Sequence, residues 1–300
     1  MKNLPASVRQ KLLNRSKEDQ RPFNELLQYF AMERFLYRLA SSKHADRFVL
    51  KGALLLRVWK SPQIRPTMDI DMLGKTSNES EAVIVQIREI IGAEVEPDGL
   101  IFDSDSVESE TITDDAEYDG LRILFKGQLD SAIIHMQIDI GFGDVVYPTP
   151  KLADIPTLLH FPAPQLLCYS RESAIAEKFH AMIKLGELNS RMKDFYDIWL
   201  LSRQFDFTEA DLAEALTQTF RQRSTDLPAK IDLFTPNFIE AKQVQWTAFR
   251  KRLKQEQIPE PFGEIVRAID GFLGPVVAAG QSPANTSTRA WTAPGPWKKM

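Results

Sequence analysis

Phe48-Val49-Leu50-Lys51-Gly52-Ala53, followed beyond a proline-bracketed loop by Arg65-Pro66-Thr67-Met68-Asp69-Ile70-Asp71, is the stretch whose reading decides the fold. Arg47–Lys51 reads as a short strand, Gly52 as a turn, and Ala53–Trp59 as a helix opening directly after it. Met68–Leu73 alternates acidic and apolar residues as a second strand, and Val83, Ile84, Ile87, Ile90 and Ile91 mark a helix behind it. Residues two apart on a strand share a face, so Asp69 and Asp71 present their carboxylates side by side. At about 6 Å and an effective dielectric of about 20, such charges repel by roughly 3 kcal/mol. A divalent cation relieves that repulsion, and a carboxylate site suits Mg²⁺ or Mn²⁺ bound together with the phosphates of a nucleotide.

Outward from this unit, Leu121–Lys126 and Ile133–Ile140 carry the period-two pattern of strands with unlike faces. Asp139 falls at the matching end of the second of these and completes a three-carboxylate set able to hold two metal ions. Gly52 would let phosphates approach backbone N–H groups at a helix start. Residues 5–40 read as one or two entry helices, with Pro5 near the first turn. A proline-bearing connector begins at 148, and from Ser170 the pattern is helical over 171–186, 191–204, 208–222 and 237–254. Within the helical part, Asp194 and Asp197 share a helix face. Lys178 or Lys193 reaching a triphosphate, oriented by such a carboxylate, competes with a plain ion-pair lattice between helices.

The whole chain bounds these readings. Its 300 residues, 43 % hydrophobic and 26 % charged, suffice for two lobes with ordinary cores. The single Cys168 excludes a disulfide scaffold and a cysteine zinc site. No signal-peptide core and no apolar run of membrane-spanning length is visible, so the expectation is a soluble, cytoplasmic protein without a membrane partner. The formal charge of −4 is uneven: residues 75–119 hold 14 acidic and 2 basic residues, leaving the rest net positive. That balance, with Arg250-Lys251-Arg252-Leu253-Lys254, leaves room for a phosphate-binding surface. The expected organisation is a helical segment over 1–45, a lobe over 46–147, a connector over 148–169, a helical lobe over 170–274, and an extended or mobile arm over 275–300.

Four blocks, Phe48–Ala53, Arg65–Asp71, Ile138–Asp144 and Glu177–Met182 leading to Asn189–Asp197, together resemble the AbiEii/AbiGii toxin family of nucleotidyltransferases, from about residue 46 to 274. The resemblance implies an α+β fold: a polymerase-beta-like nucleotidyltransferase lobe with a mixed sheet, plus a C-terminal helical lobe. It implies the toxin of a type IV toxin–antitoxin or phage-defence system, with an AbiEi-like antitoxin as partner. It also implies an NTP substrate and, by likeness to MenT-type toxins, an RNA acceptor with tRNA foremost. Asp69, Asp71 and Asp139 would be the metal ligands, and Lys178 and Asp194 a nucleotide-site pair. Lys51, Gly52, Ala53, Arg65, Thr67, Lys193 and Asp197 would line the nucleotide site. Relatives commonly follow the glycine with Gly or Ser and then Thr or Ser, whereas this chain has Ala53-Leu54, which removes a hydroxyl from that loop. Two other classes share these residues: a non-catalytic nucleotide-binding protein acting through a partner, and a metal-dependent phosphohydrolase, the latter weakened by only four His.

Overall fold

The computed structural model describes residues 3–61, 65–112, 120–253, 255–280 and 289–300. It divides into two compact units, the first comprising residues 1–144 and 150–169, the second 145–149 and 170–300.

In the first unit, α1 (Leu4–Glu18) and α2 (Phe23–Ala40) precede a 3₁₀ turn and β1 (Phe48–Lys51). Then follow α3 (Leu55–Val58), β2 (Ile70–Gly74), α4 (Ser80–Ile91), β3 (Leu100–Ile112), β4 (Gly120–Leu129), β5 (Ala132–Phe142), β6 (Lys151–Asp154) and β7 (Gln165–Cys168). The seven strands form one mixed sheet in the order β3-β4-β5-β2-β1-β7-β6. β2 runs parallel to β5 and antiparallel to β1, while β1 runs parallel to β7. Ile70, Met72, Ile138 and Ile140 are buried beneath the helices, which forces Asp71 and Asp139 between them onto the opposite face. Slipping either strand by one residue would bury the carboxylates and expose the isoleucines, so the register is fixed by the hydrophobic pattern.

The polar residues on the buried side of α2 tie down loops. Arg38 pairs with Asp98 at 2.7 Å, Glu33 with Arg57 at 3.2 Å, and the Leu158 N–H donates to Glu33 at 2.9 Å. Thus residues 1–45 and the connector belong to the sheet unit: α2 supplies part of its core, and the connector supplies two of its strands. The helix expected over Ala53–Trp59 is a single turn, α3, because Ala53 and Leu54 close a turn after Gly52. β3 is unforeseen in sequence: it is an edge strand carrying Asp103, Asp105, Glu108 and Glu110 on its exposed positions, with its register broken between Asp103 and Glu108. Charge and a bulge blunt an edge against further pairing, and they also erase the alternation that would reveal a strand.

The second unit holds α5 (Arg171–Leu185), α6 (Met192–Gln204), α7 (Glu209–Gln222), α8 (Pro236–Leu253) and α9 (Phe262–Ala279). A small sheet joins β8 (Phe207–Thr208), β9 (Arg289–Trp291) and β10 (Trp297–Lys299) in the order β10-β9-β8. Ser170 caps α5 by accepting from the Ser173 N–H at 3.0 Å, and Thr208 caps α7. The arm expected from 275 onward continues α9 to Ala279, and its described end is anchored: Trp291 is buried, its indole donates to Ser202 O, and Trp297 stacks on Phe272 at 5.8 Å. Residues 281–288 lie outside the described residues. Among the described residues no helix is long and apolar enough to cross a membrane. Burial pushes the Cys168 thiol up to about 12, which leaves it inert as a nucleophile.

Candidate active site

Parallel pairing of β2 with β5 sets Asp71 directly beside Asp139, and Asp69 sits one residue ahead of β2. Ligand oxygens of Asp69, Asp71 and Asp139 all fall within 4.8 Å of one another, each half-buried. Three carboxylates this close repel strongly, and their all-oxygen donor set fits a hard divalent cation such as Mg²⁺ or Mn²⁺. Hydrogen bonds from the surrounding chain position them. The Thr67 hydroxyl donates to Asp69, and the Thr67 N–H donates to the buried Tyr29 hydroxyl at 3.2 Å. Gln28 of α2 donates from one amide nitrogen to Met68 O at 3.1 Å and His135 O at 3.0 Å, tying the start of β2 to β5.

Gly52 touches this site through Asp71. Its φ is +76°, and a Cβ there would lie 1.9 Å from Asp71 Oδ2. Only glycine meets both the left-handed backbone and the close approach. Because α3 is one turn long, the absence of a side chain at 52 serves the carboxylate rather than a long helix dipole. Ala53 is buried and brings no hydroxyl to the turn. Lys51 stands opposite Asp71 in the β1–β2 register; its Nζ lies 3.0 Å from Asp144 and 5.6 Å from the Tyr169 ring centroid. Gly141 makes room for that ammonium, since a Cβ there would meet Nζ at 3.4 Å. Arg65 is half-buried in the segment leading to Thr67.

The second unit gathers its own cluster. Lys178 Nζ lies 3.0 Å from Asp194 and 2.8 Å from Asp197, and Arg191 Nε lies 2.8 Å from Asp194. Both carboxylates are almost fully buried, and Lys193 is exposed on α6 apart from them. In the basic run, Arg250 donates to Ile258 O and pairs with Glu260 at 2.9 Å, whereas Lys251 and Arg252 are exposed; Lys254 lies outside the described residues.

Sequence reasoning missed Arg122, Gln137 and Asp144. Arg122 grips Asp139 with two hydrogen bonds of 2.9 Å, and Gln137 Nε2 lies 3.1 and 3.2 Å from the same two oxygens. Asp144 was visible as the last residue of the block Ile138–Asp144, and Gln137 shares a strand face with Asp139. Arg122 had no local signal, because only the β4–β5 register brings it opposite Asp139.

A mixed sheet presenting a Gly turn and an acidic triad on adjacent strand ends is the arrangement of a nucleotidyl-transferring enzyme. The family profile "Nucleotidyl transferase AbiEii toxin, Type IV TA system" matches residues 34–268, and the chain belongs to that family. It is therefore a nucleotidyltransferase of the toxin component of type IV toxin–antitoxin systems. Among solved structures, JHP933 from Helicobacter pylori is similar at 15 % identity and a TM-score of 0.49, covering 82 % of this chain and 92 % of that one. A second H. pylori structure, whose description carries the word nucleotidyltransferase, is similar at 15 % identity and a TM-score of 0.46, covering 80 % and 92 %. No curated protein matches the sequence.

Proposed function

We propose that this toxin transfers a nucleoside monophosphate from an NTP to an RNA hydroxyl, with tRNA as the leading acceptor, in the bacterial cytoplasm and under the control of an AbiEi-like antitoxin. The observation that carries the reading is the convergence of Asp69, Asp71 and Asp139 within 4.8 Å on neighbouring strands, opposite a glycine turn that no other residue could occupy. Mg²⁺ or Mn²⁺ bound by these carboxylates would supply charge neutralisation for the α-phosphate and the leaving pyrophosphate. Asp69, steadied by Thr67, and Asp71, confined by Gly52, orient the triphosphate. Asp139 aligns the RNA hydroxyl, whose oxygen bonds to the α-phosphorus as the bond to pyrophosphate breaks and whose proton leaves to solvent. Lys51 and Arg65 are the candidate cationic contacts to the triphosphate in the first unit; in the second, Lys178, fixed by Asp194 and Asp197, and Lys193 are candidate nucleotide contacts.

The test is to incubate the protein and MgCl₂ with total RNA and each α-labelled NTP in turn. Label is expected in one RNA size class with one NTP, and Asp71→Asn is expected to abolish it while leaving the melting temperature within a few degrees. Undiminished labelling by a folded Asp71→Asn protein refutes the assignment.

A further inference from the structure

The β1-β2-β5-β4-β3 registers align one row of side chains across the sheet: Lys51 opposite Asp71, Asp71 beside Asp139, Asp139 opposite Arg122, and Arg122 opposite Glu110. Charge alternates along this row except at Asp71–Asp139, the pair that the metal reading requires. Asp139, however, is nearly saturated. A carboxylate has about four lone-pair positions; Arg122 takes one on each oxygen, and Gln137 takes a third between them. A cation bridging Asp71 and Asp139 would find the second carboxylate already committed to a guanidinium.

We infer that Arg122 is a positioning residue that competes with the second divalent cation for Asp139, moving to Glu110 when Asp139 is taken up by metal. Among the described residues, Glu110 is the acidic residue that the register pairs with Arg122 on its far side, and it is exposed, so the move needs only a rotation of the Arg122 side chain. Arg122 is itself about one-third exposed, which leaves it room to turn. A guanidinium is not deprotonated in proteins, so Arg122 remains a full cation in either position. The first cation, held by Asp69 and Asp71, would bind independently of Arg122; the second would bind only as Arg122 lets go. This makes the two-metal state conditional, and it rests on the metal-dependent reading above.

The test reads Mn²⁺ binding to the intact chain, without nucleotide or RNA, by the EPR signal of free Mn²⁺. Wild-type protein is expected to bind one Mn²⁺ tightly and a second weakly. Arg122→Met should tighten the second site at least tenfold and the first by less than threefold. Glu110→Gln, which removes the alternative seat, should weaken the second site severalfold and leave the first unchanged. Lys126→Met, which deletes a cation from the same strand away from Asp139, should change neither by more than twofold. If Arg122→Met leaves the second site unchanged or weakens it, or if Lys126→Met matches its effect, the competition is refuted while the metal centre stands. A folded wild-type chain that binds no Mn²⁺ overturns both.

Discussion

Replacing Gly52 by alanine isolates the link between the turn and the carboxylates. Its φ of +76° costs an L-residue roughly 1–2 kcal/mol. The added methyl would lie 1.9 Å from Asp71 Oδ2 and 2.6 Å from its Cγ, so the carboxylate must retreat by at least about 1 Å to reach even a tight contact. Metal–ligand distances tolerate only about 0.2 Å, and a 1 Å error in a reacting constellation costs on the order of a hundredfold in rate. Gly52→Ala should therefore fold with a stability loss of about 2 kcal/mol in urea titrations, yet lose tight Mn²⁺ binding and about 99 % of RNA labelling. Gly271→Ala is the control, because nothing lies within 4 Å of a Cβ there; in the middle of α9 it should be neutral or slightly stabilising. A Gly52→Ala protein that binds Mn²⁺ and labels RNA like wild type would show that Asp71 does not need its position, and the argument for the site would fail.

Two further outcomes test other groups. Burial raises the Glu33 carboxyl to about 7 against the pull of Arg57. The native state then keeps a proton that the unfolded chain has released above its ordinary 4.5. The resulting stability is fully present below that value and is lost as pH rises through about 7, amounting to about 3 kcal/mol. Urea unfolding should show this decline between pH 5 and 8, and Glu33→Gln should flatten it; an unchanged slope in the variant assigns the decline elsewhere. Lys178→Ala leaves two buried carboxylates without their shared ammonium, which should cost about 3 kcal/mol of stability. If Lys178 also contacts the triphosphate, calorimetric NTP affinity should drop by at least about tenfold, and unchanged affinity in the folded variant reduces the cluster to an ion-pair lattice.

Local chemistry was readable from sequence and long-range pairing was not. The alternation around Ile70-Asp71-Met72 and Ile138-Asp139-Ile140 carries the facing of both acids, because burying the isoleucines leaves the carboxylates one side only. The alignment of those two segments is set by parallel pairing across 68 residues of chain, which no local pattern encodes. The same limit hid Arg122, an unremarkable member of its strand until β4 lies against β5. β3 and β6, the two edges of the sheet, were illegible for a different reason. Edge strands bury little, so Leu152 remains exposed and Asp103 to Glu110 are nearly all charged or polar, and periodicity is a record of burial. The C-terminal arm misleads in the opposite direction: its Gly, Pro and Ala content resembles a linker, but Trp291 and Trp297 supply enough aromatic surface to seat it on Phe272.

An acidic site of this kind must be held together before any cation arrives, and the fold does so with neutral donors as well as charges. Gln28, buried on α2, spends its amide on the carbonyls of Met68 and His135, the residue before Asp69 and the residue four before Asp139. Tyr29, its neighbour, accepts from Thr67, whose hydroxyl in turn orients Asp69. These donors neutralise nothing, so they fix the positions of the carboxylates without removing their charge. Had cations done all of this work, the site would be stable and closed to metal. Charged partners flank the cluster, with Lys51 on Asp144 and Arg122 on Asp139. Asp139 is the carboxylate whose engagement with a cation depends on what Arg122 does.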